Sequence, residues 1–292
     1  MTVTGKTLRE ALQLNAVVTH PLDLWPYRHT TMIPNQSFDW SGTDHETLYK
    51  RNLRNLPDNW IYRTKKITYN YNEQGLRMPK SVYAVDKDYI LFSGTSYTQG
   101  LGVAEEDRFC NRVSSELGLD FIPHGGPTFT IKTNAISFFN FLDTSMPLPK
   151  IFVMEYHKTN CWTYYSDNNF VHIHNSHGTL KHLPEGKQFT SHIESYKKIA
   201  ETDHFLHESN LYRNMMKATC KRLGIKFVEV SFDEPTEPFI SENGIKRVDM
   251  SSHSDDINYC FGRDVRVRPE GYYSHPGIGL HGEAADLILS QV

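Results

Sequence analysis

The chain has 292 residues, a formal net charge of −3 and a pI near 6.6, so it lacks the basic balance that supports nucleic-acid binding. No apolar run reaches the length of a membrane span, and the opening MTVTGKTLREALQLNAVV lacks the basic-then-apolar pattern of a secretory signal, which points to a cytoplasmic or virion-associated protein. The cysteines Cys110, Cys161, Cys220 and Cys260 are far apart and form no CxxC pair, which argues against a zinc ribbon or a redox dithiol and for buried thiols.

Residues 1–66 read as an extension outside a regular core. Thr7 to Ala16 fits one amphipathic helix, with Leu8, Leu12 and Leu14 near one side. Pro21, Pro26, Pro34 and Pro57 follow, with Trp25, Trp40 and Trp60 among polar residues. Such an arm either drapes over a core or neighbouring subunit or docks a protein partner, and the residues leave both open. Residues 67–292 read as the main domain. Lys66–Tyr71 alternates like a strand, and residues 72–75 form a turn. Tyr89, Ile90, Leu91 and Phe92 predict a buried strand, which breaks into Ser93, Gly94, Thr95, Ser96, Tyr97 and Thr98. Gly94 permits a sharp turn, and Ser96 stands just past the strand's carboxyl end, where open α/β sheets place their chemistry, either as a nucleophile or as a turn or capping residue. The acidic run Glu105–Asp107 fits the first turn of a helix, Phe109, Val113 and Leu117 share a face, and Gly118 closes it.

Asp120–Pro123 predicts a short strand ending in the turn His124-Gly125-Gly126-Pro127-Thr128. Ile131, Ala135, Phe138, Phe139 and Leu142 mark a helix, and Ile151–Tyr156 a third strand running into His157-Lys158-Thr159-Asn160-Cys161. Residues 162–190, polar and rich in histidine, read as an inserted loop. Ile193–Leu206 and Leu211–Leu223 predict two helices, the second with Leu211, Met215, Thr219 and Leu223 on one face and Gly224 as its cap. Lys226–Val230 is a fourth strand, residues 231–262 are irregular, and His281–Ser290 is a last helix after Ser274-His275-Pro276-Gly277. Strands alternating with helices imply a mostly parallel sheet in a three-layer α/β/α sandwich. The turns at Ser96, Gly125-Gly126 and Asn160 then gather on one sheet edge.

These pieces resemble the SGNH hydrolases, also called GDSL esterases, over about residues 66–160 and 208–292. Gly94-Thr95-Ser96-Tyr97-Thr98 is similar to the family's Gly-Asp-Ser block. Gly126, rather than Gly125, is assigned to its glycine block. Asn160 alone matches the Gly-x-Asn-Asp block, and His275 matches the histidine of the closing Asp-x-x-His block. The resemblance implies a flavodoxin-like α/β fold and a serine esterase acting on O-acyl groups, with carbohydrate esters as the favoured substrate class. It implies Ser96 as nucleophile and His275 as general base. The oxyanion hole would comprise the Ser96 and Gly126 backbone N–H groups and the Asn160 amide. No metal or organic cofactor is implied. The sequence departs from the family at Tyr272, where the catalytic Asp belongs; Asp264, Glu270 or a backbone carbonyl is left to orient His275. A degenerate scaffold serving as a binding or structural protein is the alternative. The irregular arm and missing signal also resemble phage-encoded members.

His172, His174, His177 and His182 could suggest a metal, but only Asp167 accompanies them, and a polar loop explains them better. His281 reads as a cap or packing residue, and His124 and His157, which flank the expected site, suit either substrate contact or a surface role. Tyr156, Tyr164 and Tyr165 suit either an aromatic platform or packing.

Overall fold

The computed structural model describes residues 35–40, 43–126, 129–144, 146–156, 203–232, 238–249, 256–268 and 271–292, and the backbone of 161–166 and 169–174. The predicted helix at Thr7–Ala16 lies outside them. Five parallel strands make the central sheet: β3 (Tyr89–Gly94), β4 (Asp120–Gly125), β5 (Ile151–Tyr156), β8 (Lys226–Ser231) and β9 (Lys246–Arg247). Their spatial order is β4-β3-β5-β8-β9. Counted along the chain this is the flavodoxin-like order 2-1-3-4-5, with its reversal at β3.

Side-chain alternation along the strands divides the core into two layers. Leu91 and Phe152 face α4 (Ile131–Leu142) and α5 (His204–Leu223), where Phe138, Met216 and Cys220 complete the packing. Ile90, Phe92, Ile151 and Val153 face α3 (Phe109–Leu117) and α8 (Ile278–Leu289), meeting Val113, Leu280, Ala284 and Ile288. The chain leaves β3 in one direction through α3 and passes to the other side of β3 through α4. Right-handed crossovers in opposite directions put these helices on opposite faces. The three-layer expectation therefore holds.

A third apolar cluster joins Leu56, Trp60, Tyr62, Ile67, Tyr69 and Tyr71 to Leu101, Ala104, Ile257 and Val265. It packs the segment carrying α1 (Glu46–Asn55) against the loops at the carboxyl edge of the sheet. The predicted strand at Lys66–Tyr71 shrinks to β2 (Tyr69–Asn70), paired antiparallel with β1 (Ser37–Phe38).

Several local expectations need correction. Glu105–Asp107 forms a separate 3-10 turn, because Arg108 is extended and the α-helix begins at Phe109. Arg108 is drawn out of helical geometry while its guanidinium donates to the carbonyls of Arg77 (2.6 Å) and Thr98 (3.0 Å). Part of the inserted loop is a hairpin, β6 (Cys161–Ser166) with β7 (Asn169–His174). His204–Leu223 is one helix, so the expected break between Leu206 and Leu211 is absent. Its expected apolar face points outward: Leu211, Met215 and Leu223 are exposed, while Phe205, Arg213, Met216 and Cys220 are buried. Arg213 turns inward because Glu229 receives its Nε at 2.6 Å and its second terminal nitrogen at 2.8 Å. Tyr156 is packed rather than presented, with its hydroxyl on Glu229 at 2.8 Å. Cys110, Cys220 and Cys260 are buried free thiols, as the spacing implied. Among the described residues no helix is long and apolar enough to cross a membrane.

Phe152 is fully buried and stacks on Phe138 with ring centroids 4.2 Å apart. Phe152→Ala should destabilise the protein by about 3–5 kcal/mol, measured as a lower urea midpoint with little change in slope.

Candidate functional site

Strand β3 ends on a four-residue helix, α2 (Ser96–Gln99), which places Ser96 at the point where strand order reverses. Thr95 caps that helix by accepting from the Tyr97 N–H, and Gly100 ends it in the left-handed region at φ 73°. Behind the turn lies Glu155 of β5, 1% exposed. One of its oxygens accepts from the Thr95 N–H (2.6 Å), the Thr95 hydroxyl (3.0 Å) and the Thr98 hydroxyl (3.0 Å). Gly94 is required by this arrangement, since a Cβ there would strike both Glu155 and Thr98. Burial pushes the Glu155 carboxyl above its ordinary value, and the Thr95 and Thr98 donors offset part of that rise.

The loop after α2 is braced by Arg77, which donates to the carbonyls of Gln99, Gly100 and Val103 and lies over the Tyr69 ring. Burial and the neighbouring Arg108 lower Arg77 to about 10, so it remains charged at neutral pH.

His275 reaches this turn from near the other end of the sequence. Its Nε2 lies 3.0 Å from Ser96 Oγ and its Nδ1 lies 2.6 Å from Asp264 Oδ2. Tyr97 meets the imidazole edge-on, with ring centroids 5.8 Å apart. The expected Ser96–His275 pair is therefore within hydrogen-bond reach, and the Asp264 carboxylate lies beside the other imidazole nitrogen. Between Asp264 and His275 the chain runs out along β10 (Arg266–Arg268) and back along β11 (Gly271–Tyr273). The antiparallel pairing returns residues 274 and 275 beside residue 264, so an eleven-residue separation closes in space. Below the hairpin the strands stay tied, with Gly262 N–H on His275 O at 2.9 Å.

Asp264 is 2% exposed and carries four donors. Oδ2 accepts from His275 Nδ1 and from Thr43 Oγ1 at 2.8 Å, and Oδ1 accepts from Ser274 Oγ at 2.7 Å and the His275 N–H at 3.3 Å. Burial alone would raise this carboxyl. The adjacent His275 charge and its hydrogen bond, with those of Ser274 and Thr43, outweigh burial and hold it well below the usual carboxylate range. Gly102 completes the fit: at φ 82° it approaches so closely that a Cβ would stand 2.8 Å from Asp264 Oδ1.

Gly126 follows β4 directly, and a Cβ there would run into the Phe129 ring. Asn160, His157, His177, His182 and Glu270 lie outside the described residues, and His172 and His174 fall on the backbone of β7. Among the described residues no cluster of three or more His, Cys, Asp or Glu could hold a metal. His124 is buried rather than on the surface. His281 is a packing residue, stacked on Phe109 at 5.6 Å and 20°. Burial, with Arg108, Arg112 and Arg77 nearby, lowers its affinity for a proton well below the ordinary value. Sequence reasoning missed Glu155, Thr43 and Ser274. Glu155 alone left a trace, as a lone carboxylate inside the apolar strand IFVMEY.

This arrangement can deprotonate a hydroxyl as it attacks an electrophilic carbon. No family model and no curated protein sequence matches the chain. Solved structures similar to it include a lipolytic protein of the G-D-S-L family from Desulfitobacterium hafniense, at 9% identity over 70% of this chain and 99% of that one, TM-score 0.39. A carbohydrate esterase shares 12% identity over 73% of this chain and 69% of its own, TM-score 0.40. An acetyl xylan esterase from the rumen bacterium Butyrivibrio proteoclasticus shares 9% over 77% of this chain and 65% of its own, TM-score 0.35.

The depressed Asp264 carboxyl links stability to pH. Its folded value lies below its unfolded one, about 3.9, so its contribution is full above that pH and is lost as pH falls through the folded value. Asp264→Asn should flatten the acid side of the stability profile below about pH 4, read as urea midpoints across the acid range. An unchanged acid slope would contradict this linkage.

Proposed function

We propose that the chain is a serine esterase of the SGNH type, with Ser96 as nucleophile, His275 as general base and Asp264 as the group that orients it. The observation that carries this reading is the continuous Ser96–His275–Asp264 chain of hydrogen bonds at 3.0 and 2.6 Å. A serine hydroxyl is a poor nucleophile alone and needs such a partner. Its position at the strand-order reversal of a flavodoxin-like sheet supports the same reading.

The chemistry follows from the geometry. Ser96 Oγ adds to the ester carbonyl carbon while its proton passes to His275 Nε2. The carbonyl π pair becomes the oxyanion, for which the Ser96 and Gly126 N–H groups and the Asn160 amide are the proposed donors. Asp264, ionised because of its four donors, stabilises the imidazolium. Collapse of the intermediate breaks the bond to the alcohol, which takes the proton from Nε2. Water then repeats the cycle on the acyl-serine, releasing the acid and free Ser96.

For substrate we propose O-acyl groups carried on carbohydrate. Tyr272 and Tyr273, 42% and 57% exposed, lie three and two positions before His275 and are the aromatic contacts we propose for a sugar. The absence of an orienting carboxylate would have favoured a non-catalytic scaffold; Asp264 beside His275 Nδ1 supports the enzyme instead.

Incubation with p-nitrophenyl acetate and a fluorophosphonate probe tests the reading. The protein should turn over the ester and label once per chain, and Ser96→Ala should abolish labelling and cut kcat by at least about a thousandfold. Folded protein that neither labels nor turns over simple or sugar acetates would leave the scaffold as a binding module.

A further inference from the structure

The segment before α1 reaches into the site. Arg263, next to Asp264, is 5% exposed at its side chain and pairs with Asp44 through its Nε at 3.0 Å and a terminal nitrogen at 2.7 Å. The same guanidinium donates to the Asp39 carbonyl and lies 4.3 Å from the Trp40 ring centroid. Tyr69 gives Asp44 a further hydrogen bond from its hydroxyl. Residues 40 and 44 are thus fixed on either side of Thr43 by one buried cation. Thr43 Oγ1 stands 2.8 Å from Asp264 Oδ2 and 3.4 Å from His275 Nδ1.

We propose that Thr43 is a positioning residue for the site, holding Asp264 Oδ2 in line with His275 Nδ1, and that the Asp44–Arg263 pair exists to hold Thr43 in place. This rests on the esterase reading above. Three physical arguments support it. Oδ2 is shared between the imidazole and the threonine, so the hydroxyl fixes the oxygen that the imidazole uses. A carboxylate tied by four donors cannot rotate away when the imidazole becomes charged. The buried ion pair is itself costly to desolvate, so it is weak evidence for stability, and the proposal gives it a geometric role instead. Because Asp264 lies eleven positions before His275 rather than three, with a hairpin between, it needs a brace from outside that loop.

Thr43→Val keeps the shape and removes the donor; Thr43→Ser restores it. With p-nitrophenyl acetate, Thr43→Val should lower kcat about tenfold with KM within about twofold, and Thr43→Ser should stay within about twofold of the parent in both. The low-field proton resonance of the His275 Nδ1–H, read by NMR, should broaden or vanish in the valine variant and persist in the serine variant. A valine variant with parental kcat and an unchanged resonance overturns the proposal. Should the parent itself show no turnover and no probe labelling, the esterase reading fails. The resonance still decides on Thr43, since an identical signal in all three proteins refutes the brace and its selective loss in valine upholds it.

Discussion

A hydrogen bond between residues 179 positions apart, Ser96 Oγ to His275 Nε2, can form only after most of the chain has been arranged around it. One end is set by β3, whose carboxyl end opens where the strand order reverses. The other is set by the closing helix α8, which packs on α3, the helix that follows the serine turn. His281 stacked on Phe109 is one of the contacts that fixes this docking. The sheet and the two helices therefore define the separation of hydroxyl and imidazole before any polar group in the site is considered.

Two buried carboxylates then stiffen the two halves, and their opposite behaviour is informative. Glu155 receives a backbone N–H and two hydroxyls, all neutral, and burial wins, so its carboxyl is raised. Asp264 is as deeply buried but faces an imidazole, and charge wins over burial. The first suits a passive anchor behind the serine turn, since its oxygen is taken up by one backbone and two hydroxyl donors. The second suits the proposed esterase, in which that group stays ionised while the imidazole gains a proton.

Much of the sheet was legible because its strands are apolar runs bounded by glycine or polar turns, and a run buried on both faces has few alternatives. Ser96 was legible as a hydroxyl in the polar turn after a buried strand, whereas His275 was reached only through the resemblance of its turn to the closing SGNH block. Asp264 could be named only as one of several candidates, since hairpin geometry, not spacing, brings it back to His275. Thr43 and the Asp44–Arg263 pair were beyond reach: a contact across 219 or more positions leaves no local pattern. The outward stripe on α5 misled for a related reason. Helical periodicity identifies a stripe, but Glu229 decides which side turns inward by recruiting Arg213.

Among the described residues, strand β4 lies at one border of the sheet, hydrogen-bonded to β3, and carries Pro123 opposite Phe92. A proline has no amide proton to offer, so an approaching strand from another molecule meets a gap in the ladder there. At the opposite border β9 spans two residues, too few to template an added strand. Both ends of the sheet are thus poor seeds for intermolecular growth, a safeguard that leaves the strand ends free for the site.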